Sequence, residues 1–311
     1  MLSRAAERVY WTGRYLERAE NTARIIQQYS QLLLDLPPEV GVEWGELVKI
    51  FGAVDSYGSS GQGRDETSIV QFLLAEPMSV CSLAYSLRMA RENIRNTRDL
   101  LPQESWESAN ECYRFARDSL SRAAAGENRF EVLADCIGRC QQINGILSGT
   151  MSHRSPYHFL TLGQRIERAD MTSRIIDVAA AYVQQNEQLV RRYGSTLWTN
   201  VLKSVSGFQM YRQYCHPHVE GSRVIDFLLH DDTFPRAIHA CIATARDCAE
   251  SLPRGERTID ALDAVGDLVR STPIASLGAG GVSAAMDALQ KRLGEANRAV
   301  ATTWFSYGVN Q

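Results

Sequence analysis

Gly13-Arg14-Tyr15-Leu16-Glu17-Arg18-Ala19-Glu20-Asn21-Thr22-Ala23-Arg24-Ile25-Ile26 returns later in the chain as Gly163-Gln164-Arg165-Ile166-Glu167-Arg168-Ala169-Asp170-Met171-Thr172-Ser173-Arg174-Ile175-Ile176. Eight of the fourteen positions are identical at an offset of 150. Unrelated sequences of ordinary composition would agree at roughly one. Both copies keep polar residues: Glu17, Arg18, Glu20 and Arg24 against Glu167, Arg168, Asp170 and Arg174. Weaker matches follow in the same order. Trp44 to Tyr57 aligns with Trp198 to Tyr211, Phe72-Leu73-Leu74 with Phe227-Leu228-Leu229, and Ala90-Arg91-Glu92 with Ala245-Arg246-Asp247. A period near 150 is far longer than the roughly 20–50 residues of a solenoid repeat. The expectation is a single domain over 1–311, built from two tandem, pseudo-two-fold related halves, about 1–152 and 153–311.

Helical periodicity dominates, and no run of alternating strand character stands out. The chain therefore reads as an all-α, multi-helix bundle. Helices are predicted over 2–34, 41–56, 66–75, 78–100, 103–125 and 127–150 in the first half. Those of the second are 156–191, 195–212, 221–230, 233–251, 256–271 and 281–306. Breaks fall at Pro37-Pro38, Pro77, Pro102, Gly126, Pro156, Pro217, Pro235, Pro253 and Gly278–Gly281, where helix geometry or hydrogen bonding fails. Ser155-Pro156 suits a helix start, with proline in the first turn.

At 100° per residue, Tyr10, Gly13, Glu17, Glu20, Asn21 and Arg24 share one narrow face of the first helix. Leu16, Ala19, Ala23 and Ile26 lie opposite. Arg24 follows Glu20 by four residues and Arg174 follows Asp170 by four, a spacing that allows intrahelical ion pairs. Gly13 and Gly163 cost about 1 kcal/mol each against alanine, which close backbone approach would offset. A solvated face would hold ion pairs worth at most about 1 kcal/mol each. Retention of this composition, while neighbouring segments diverged, favours a buried Arg–carboxylate network at the pseudo-dyad. Arg91, Glu92 and Arg95, with Arg246 and Asp247 opposite, are candidates to complete it.

Bulk composition excludes several classes. The formal net charge of −3 gives no electrostatic footprint for nucleic acid. No apolar run approaches the roughly 18 residues of a membrane span. Residues 1–10 carry Arg4, Glu7 and Arg8 without an apolar stretch, so no signal peptide is expected. Lysine occurs only at 49, 203 and 291, and the other cations are arginines, which hold planar bidentate pairs. The seven cysteines form no C-x-x-C pair and read as free thiols of a cytoplasmic protein. No metal site is expected, since the Glu-x-x-His pairs of di-iron bundles are absent. No cofactor is expected either: the glycine-rich loop 56–65 lacks the P-loop pattern. That loop reads as a surface segment or a substrate lid, and His216-Pro217-His218 as surface or packing residues.

The stretch from Leu2 through Arg24, with Leu2-Ser3-Arg4-Ala5-Ala6-Glu7-Arg8-Val9-Tyr10-Trp11-Thr12 leading into the repeated segment, resembles the opening of the bacterial alpha-E domain family. His158-Phe159-Leu160 through Arg174 is similar to that family's second Glu-Arg helix, and Arg88-x-x-Arg91-Glu92-Asn93-x-Arg95, followed by Trp106 and Asn110, to the arginine-rich helix between them. Cys248 stands where the repeat would place a second Asn93. The resemblance covers essentially the whole chain and carries no established activity. It implies association with a circularly permuted ATP-grasp protein and a transglutaminase-like protein, hence a part in peptide or amide ligation.

Three functional readings follow. The chain is an accessory protein that binds the ligase or its carboxylate substrate, or an enzyme of the same pathway, or a purely structural helical protein. In the first, anion-binding candidates are Arg14, Arg18, Glu20, Arg24, Arg91, Glu92, Arg95, Arg168, Asp170 and Arg174. In the second, Glu17 or Glu167 acts as acid or base, with its pKa raised by burial.

Overall fold

The computed structural model describes residues 1–37 and 40–305. Two long helices organise it: α1 (Ser3–Asp35) and α8 (Ser155–Gln185). A lone surface helix hides one stripe, but α1 is buried on both its polar and its apolar sides. It packs on α8, α5 (Leu83–Arg95) and α7 (Arg129–Thr150).

The neighbour relations form two closed rings. α1 contacts α5, α5 contacts α6 (Gln103–Ala124), α6 contacts α7, and α7 returns to α1. In the same order α8 contacts α12 (Ile238–Glu250), then come α13 (Glu256–Ser271) and α14 (Ala279–Val300), which returns to α8. Each ring is a four-helix bundle, and the α1–α8 contact joins them. Shorter helices pack around this frame: α2 (Gly45–Ile50), α3 (Val54–Gly58) and α4 (Glu66–Leu74), then α9 (Glu187–Ser204), α10 (Phe208–Tyr214) and α11 (Gly221–His230). A π turn, 301–305, brings Trp304 and Phe305 back into the core.

The α1–α8 crossing depends on glycine. A Cβ on Gly13 would overlap the Leu160 carbonyl oxygen, and one on Gly163 would overlap that of Tyr10. The backbones meet where neither helix has a side chain, which explains two glycines inside helices.

Several boundaries differ from those read in the sequence. The 41–56 helix divides into α2 and α3 because the chain turns at Gly52, with φ +59°. The 78–100 helix shortens to α5, since Ser82 caps it by accepting from the Tyr85 amide at 3.0 Å. The helix expected to run to 191 ends at Gln185, and α9 begins eight residues before the predicted 195. The 195–212 helix breaks between α9 and α10 at Ser206, φ +55°, and Gly207, which packs on Phe234. Pro38 of the Pro37-Pro38 break and residue 306 of the last predicted helix lie outside the described residues. No strand occurs among the described residues.

Candidate functional site

At the α1–α8 crossing the two Glu-Arg pairs exchange partners. Glu17 is fully buried and accepts from Arg168 of the other helix: Nε to Oε1 at 2.8 Å and Nη2 to Oε2 at 2.7 Å. Glu167 accepts from Arg18 through Nε at 2.6 Å and Nη2 at 3.0 Å. Bidentate pairs of this kind fix angle as well as distance. Neither glutamate pairs with the arginine that follows it in sequence, because successive helical residues point about 100° apart.

Each carboxylate also receives a second guanidinium. Arg14 Nε donates to Glu167 Oε2 at 2.5 Å. Arg236 Nη1 donates to Glu17 Oε1 at 2.8 Å, and its Nη2 to Glu20 Oε1 at 2.8 Å. Asn21 links these groups, donating to Glu17 at 3.2 Å and accepting from Arg236 at 2.7 Å. Glu20 further accepts from Arg24 at 2.7 Å, and α7 offers it Gln141 and Asn144 at 3.4 and 3.5 Å. On the other side Arg14 Nη1 and the Tyr10 hydroxyl both donate to Asn297 Oδ1 of α14 at 2.7 Å.

This environment decides the protonation states. Burial alone pushes the Glu17 carboxyl up, but the charges of Arg168 and Arg236 and the Arg168 hydrogen bonds outweigh it and hold it at about 2. Burial opposes ionisation of Glu167 likewise, and Arg14 and Arg18 reverse the balance, again to about 2. Burial also works against the Arg14 and Arg168 cations, yet Glu167 and Glu17 raise both above the ordinary guanidinium value. The pKa raised by burial, expected for an acid or base, is therefore reversed at both glutamates.

Of the sequence candidates, Arg14, Glu17, Arg18, Glu20, Arg24, Glu167 and Arg168 meet in this network. Asp170 and Arg174 lie beside it as a separate i,i+4 pair at 2.9 Å. Arg174 passes over Gly52, where a Cβ would sit 2.5 Å from its Nη1. Arg91, Glu92 and Arg95 do not complete the network. α5 turns Leu83, Leu87, Ala90 and Ile94 into the core and holds Arg91 and Arg95 to one side. There Arg91 donates to Asn110 at 2.8 Å, lies 5.2 Å from the ring centres of both Trp106 and Tyr113, and shares Glu92 with Arg95. Arg246 likewise serves Asp263 and Glu250, away from the crossing.

Arg236, Asn297, Tyr10, Gln141 and Asn144 join the network without having been proposed as ligands of it. Tyr10 did fall on the polar face, which was a usable signal. Arg236 left none: it sits in the turn before α12, and at the offset of 155 its counterpart is Cys81. Among the described residues no group of three or more His, Cys, Asp or Glu side chains is placed to hold a metal ion. Nor is any helix there long and apolar enough to cross a membrane.

A helical frame pinned by crossed Glu-Arg pairs defines a class, and comparison with known families agrees. The family model of Alpha-E, described as a predicted alpha-helical domain with a conserved ER motif, matches residues 1–305. The chain belongs to this family. No curated protein and no solved structure matches it.

Proposed function

We propose that the protein is a helical accessory component of an ATP-grasp-dependent peptide or amide ligation system, with no reaction of its own at the Glu-Arg centre. The absence of a reaction there rests on the engagement of that centre's charged groups with one another. Both glutamates are ionised, buried and engaged by two guanidiniums each. A general acid or base near neutrality needs a pKa near the working pH and access to the proton it moves. Both carboxylates are held at about 2 and are buried. Arg14, Arg18, Arg168 and Arg236 each already face a carboxylate, so the network acts as a clasp between the bundles and not as an open anion seat.

The ligation role rests on the family resemblance, which implies a circularly permuted ATP-grasp partner and a transglutaminase-like neighbour. The reading takes 1–152 and 153–311 as two-fold related halves, supported by the exchanged Glu-Arg pairs and the matched order of helix contacts. It places the chain in the cytoplasm, supported by seven free cysteines. The test is affinity recovery of the tagged protein from its native host, read by mass spectrometry. Stoichiometric recovery of an ATP-grasp protein is the expected result. Recovery of the chain alone across several salt conditions would overturn the stable-subunit reading.

A further inference from the structure

Outside the clasp, Arg88 and Arg165 each keep a buried Nε without a partner and donate only to a backbone carbonyl, and of the two Arg88 lines a cavity away from the Glu-Arg centre. Arg88 of α5 donates Nη2 to the Pro77 carbonyl at 3.1 Å and stacks over Tyr85, 5.3 Å from the ring centre. Its Nε is buried without a partner. No carboxylate among the described residues forms an ion pair with it, and the residue is half-buried. A planar guanidinium held at one corner, with its other donors free, is suited to a carboxylate.

Arg88 walls a cavity of about 130 Å³ between the α4–α5 turn, α5 and α6. Ala84, Ala116 and Leu120 give it an apolar floor, and Arg117 and Ser121 a polar rim. That is enough for the carboxyl end of a small residue. Beyond Pro77, which lines the cavity, the chain continues through Met78, 75% exposed, and Val80, 54% exposed. The second half does not repeat the site. Matching Arg91 to Arg246 (offset 155) puts Ala243 at the place of Arg88, and matching Asn110 to Asp263 (offset 153) puts Gly266 at that of Tyr113, another lining residue.

We propose that this α5–α6 pocket binds the C-terminal carboxylate of a peptide ending in a small apolar residue. Arg88 takes the carboxylate, the alanine–leucine floor takes the last side chain, and Met78 and Val80 take the residue before it. This deepens the ligation reading and rests on it for the source of the peptide only; the binding chemistry rests on the pocket.

The test is calorimetric titration of the full chain with N-acetyl-alanyl-alanine and with its C-terminal amide. The acid should bind in the micromolar range and the amide roughly 10–100-fold more weakly, as loss of a charge-assisted hydrogen bond requires. Arg88→Met should lose a similar factor for the acid with the melting temperature unchanged. Ala84→Leu, which fills the cavity from its apolar floor, should abolish binding and carries the test where Arg88→Met fails to fold. Absence of binding, equal affinity for acid and amide, or full affinity in both variants would overturn the proposal. Inorganic phosphate binding as tightly as the acid would overturn the peptide assignment. Recovery of the ATP-grasp protein without peptide binding sinks the pocket alone, and peptide binding without that recovery sinks the ligation reading alone.

Discussion

Replacing Glu17 with glutamine tests whether the clasp is structural. The substitution keeps volume but puts an amide NH₂ where Arg168 or Arg236 now donates, so donor meets donor in a buried site. The magnitude follows in two ways. Holding the carboxyl at about 2 against an ordinary 4.5 corresponds to about 2.5 units, or about 3 kcal/mol of stability at neutral pH. Breaking a buried ion pair by removing one partner costs roughly 3–5 kcal/mol. The two agree. A chain of this length has an unfolding entropy of about 0.65 kcal/mol/K, so the melting temperature should fall by about 5–8 °C. Thermal and urea unfolding, followed by both tryptophan fluorescence and circular dichroism, measure it. The pH dependence gives a second, independent reading. A depressed carboxyl contributes stability that is fully present above its unfolded value and is lost as pH falls through the folded one. The gap between wild type and Glu17→Gln should therefore stay constant above about pH 5 and narrow between 4.5 and 2. A gap under about 1 kcal/mol at pH 7, or one that does not narrow in acid, would refute the reasoning.

Gly13→Ala should destabilise by about 1–3 kcal/mol despite alanine's better helix propensity, because its Cβ meets the Leu160 carbonyl. Gly138→Ala, on an exposed helical position with nothing within 4 Å of the new atom, should stabilise by about 0.5–1 kcal/mol; thermal melts of the pair must shift in opposite directions. Arg91→Ala should cost about 1–2 kcal/mol from its stacking and ion pairs. Its effect should add to that of Glu17→Gln within about 0.5 kcal/mol in urea unfolding, and coupling well above this would place Arg91 in the clasp after all.

The repeated segment carried most of what could be read in advance. A face of Glu17, Glu20, Asn21 and Arg24 kept in a second copy signalled burial, and the glycines signalled close approach. Periodicity gives the angle of a side chain about its own helix, not the helix that stands opposite. That is why Arg91, Glu92 and Arg95 were assigned to the crossing when α5 directs them along α6. The apolar pattern through 41–56 hid the turn at Gly52, since a glycine with positive φ leaves no mark on the residues around it. Arg236 was invisible for a different reason: it acts alone, from a turn, without a partner in the first half. The α5–α6 pocket was out of reach because it depends on which donors remain unused after folding.

Arg236 also shows what the crossing must preserve. The counterpart of Arg14 is Gln164, so the second copy has lost the cation that gives Glu167 its second guanidinium. Glu17 nevertheless has two, because Arg236 enters from the turn before α12. Two carboxylates thus reach the same charge balance by different routes, and both sit at about 2. Under the proposed two-fold relation an arginine at 164 would approach Glu17 as Arg14 approaches Glu167. Arg236→Met should therefore leave Glu17 hydrogen-bonded to Arg168 alone among the guanidiniums, with only the charge of Arg165 besides, raise its carboxyl and start acid unfolding at a higher pH. Adding Gln164→Arg to that variant should bring the acid limb back toward wild type. Failure of Arg236→Met to move the acid limb would show that Arg168 alone suffices. A double variant no better than the single one would show that the halves do not superpose at this crossing.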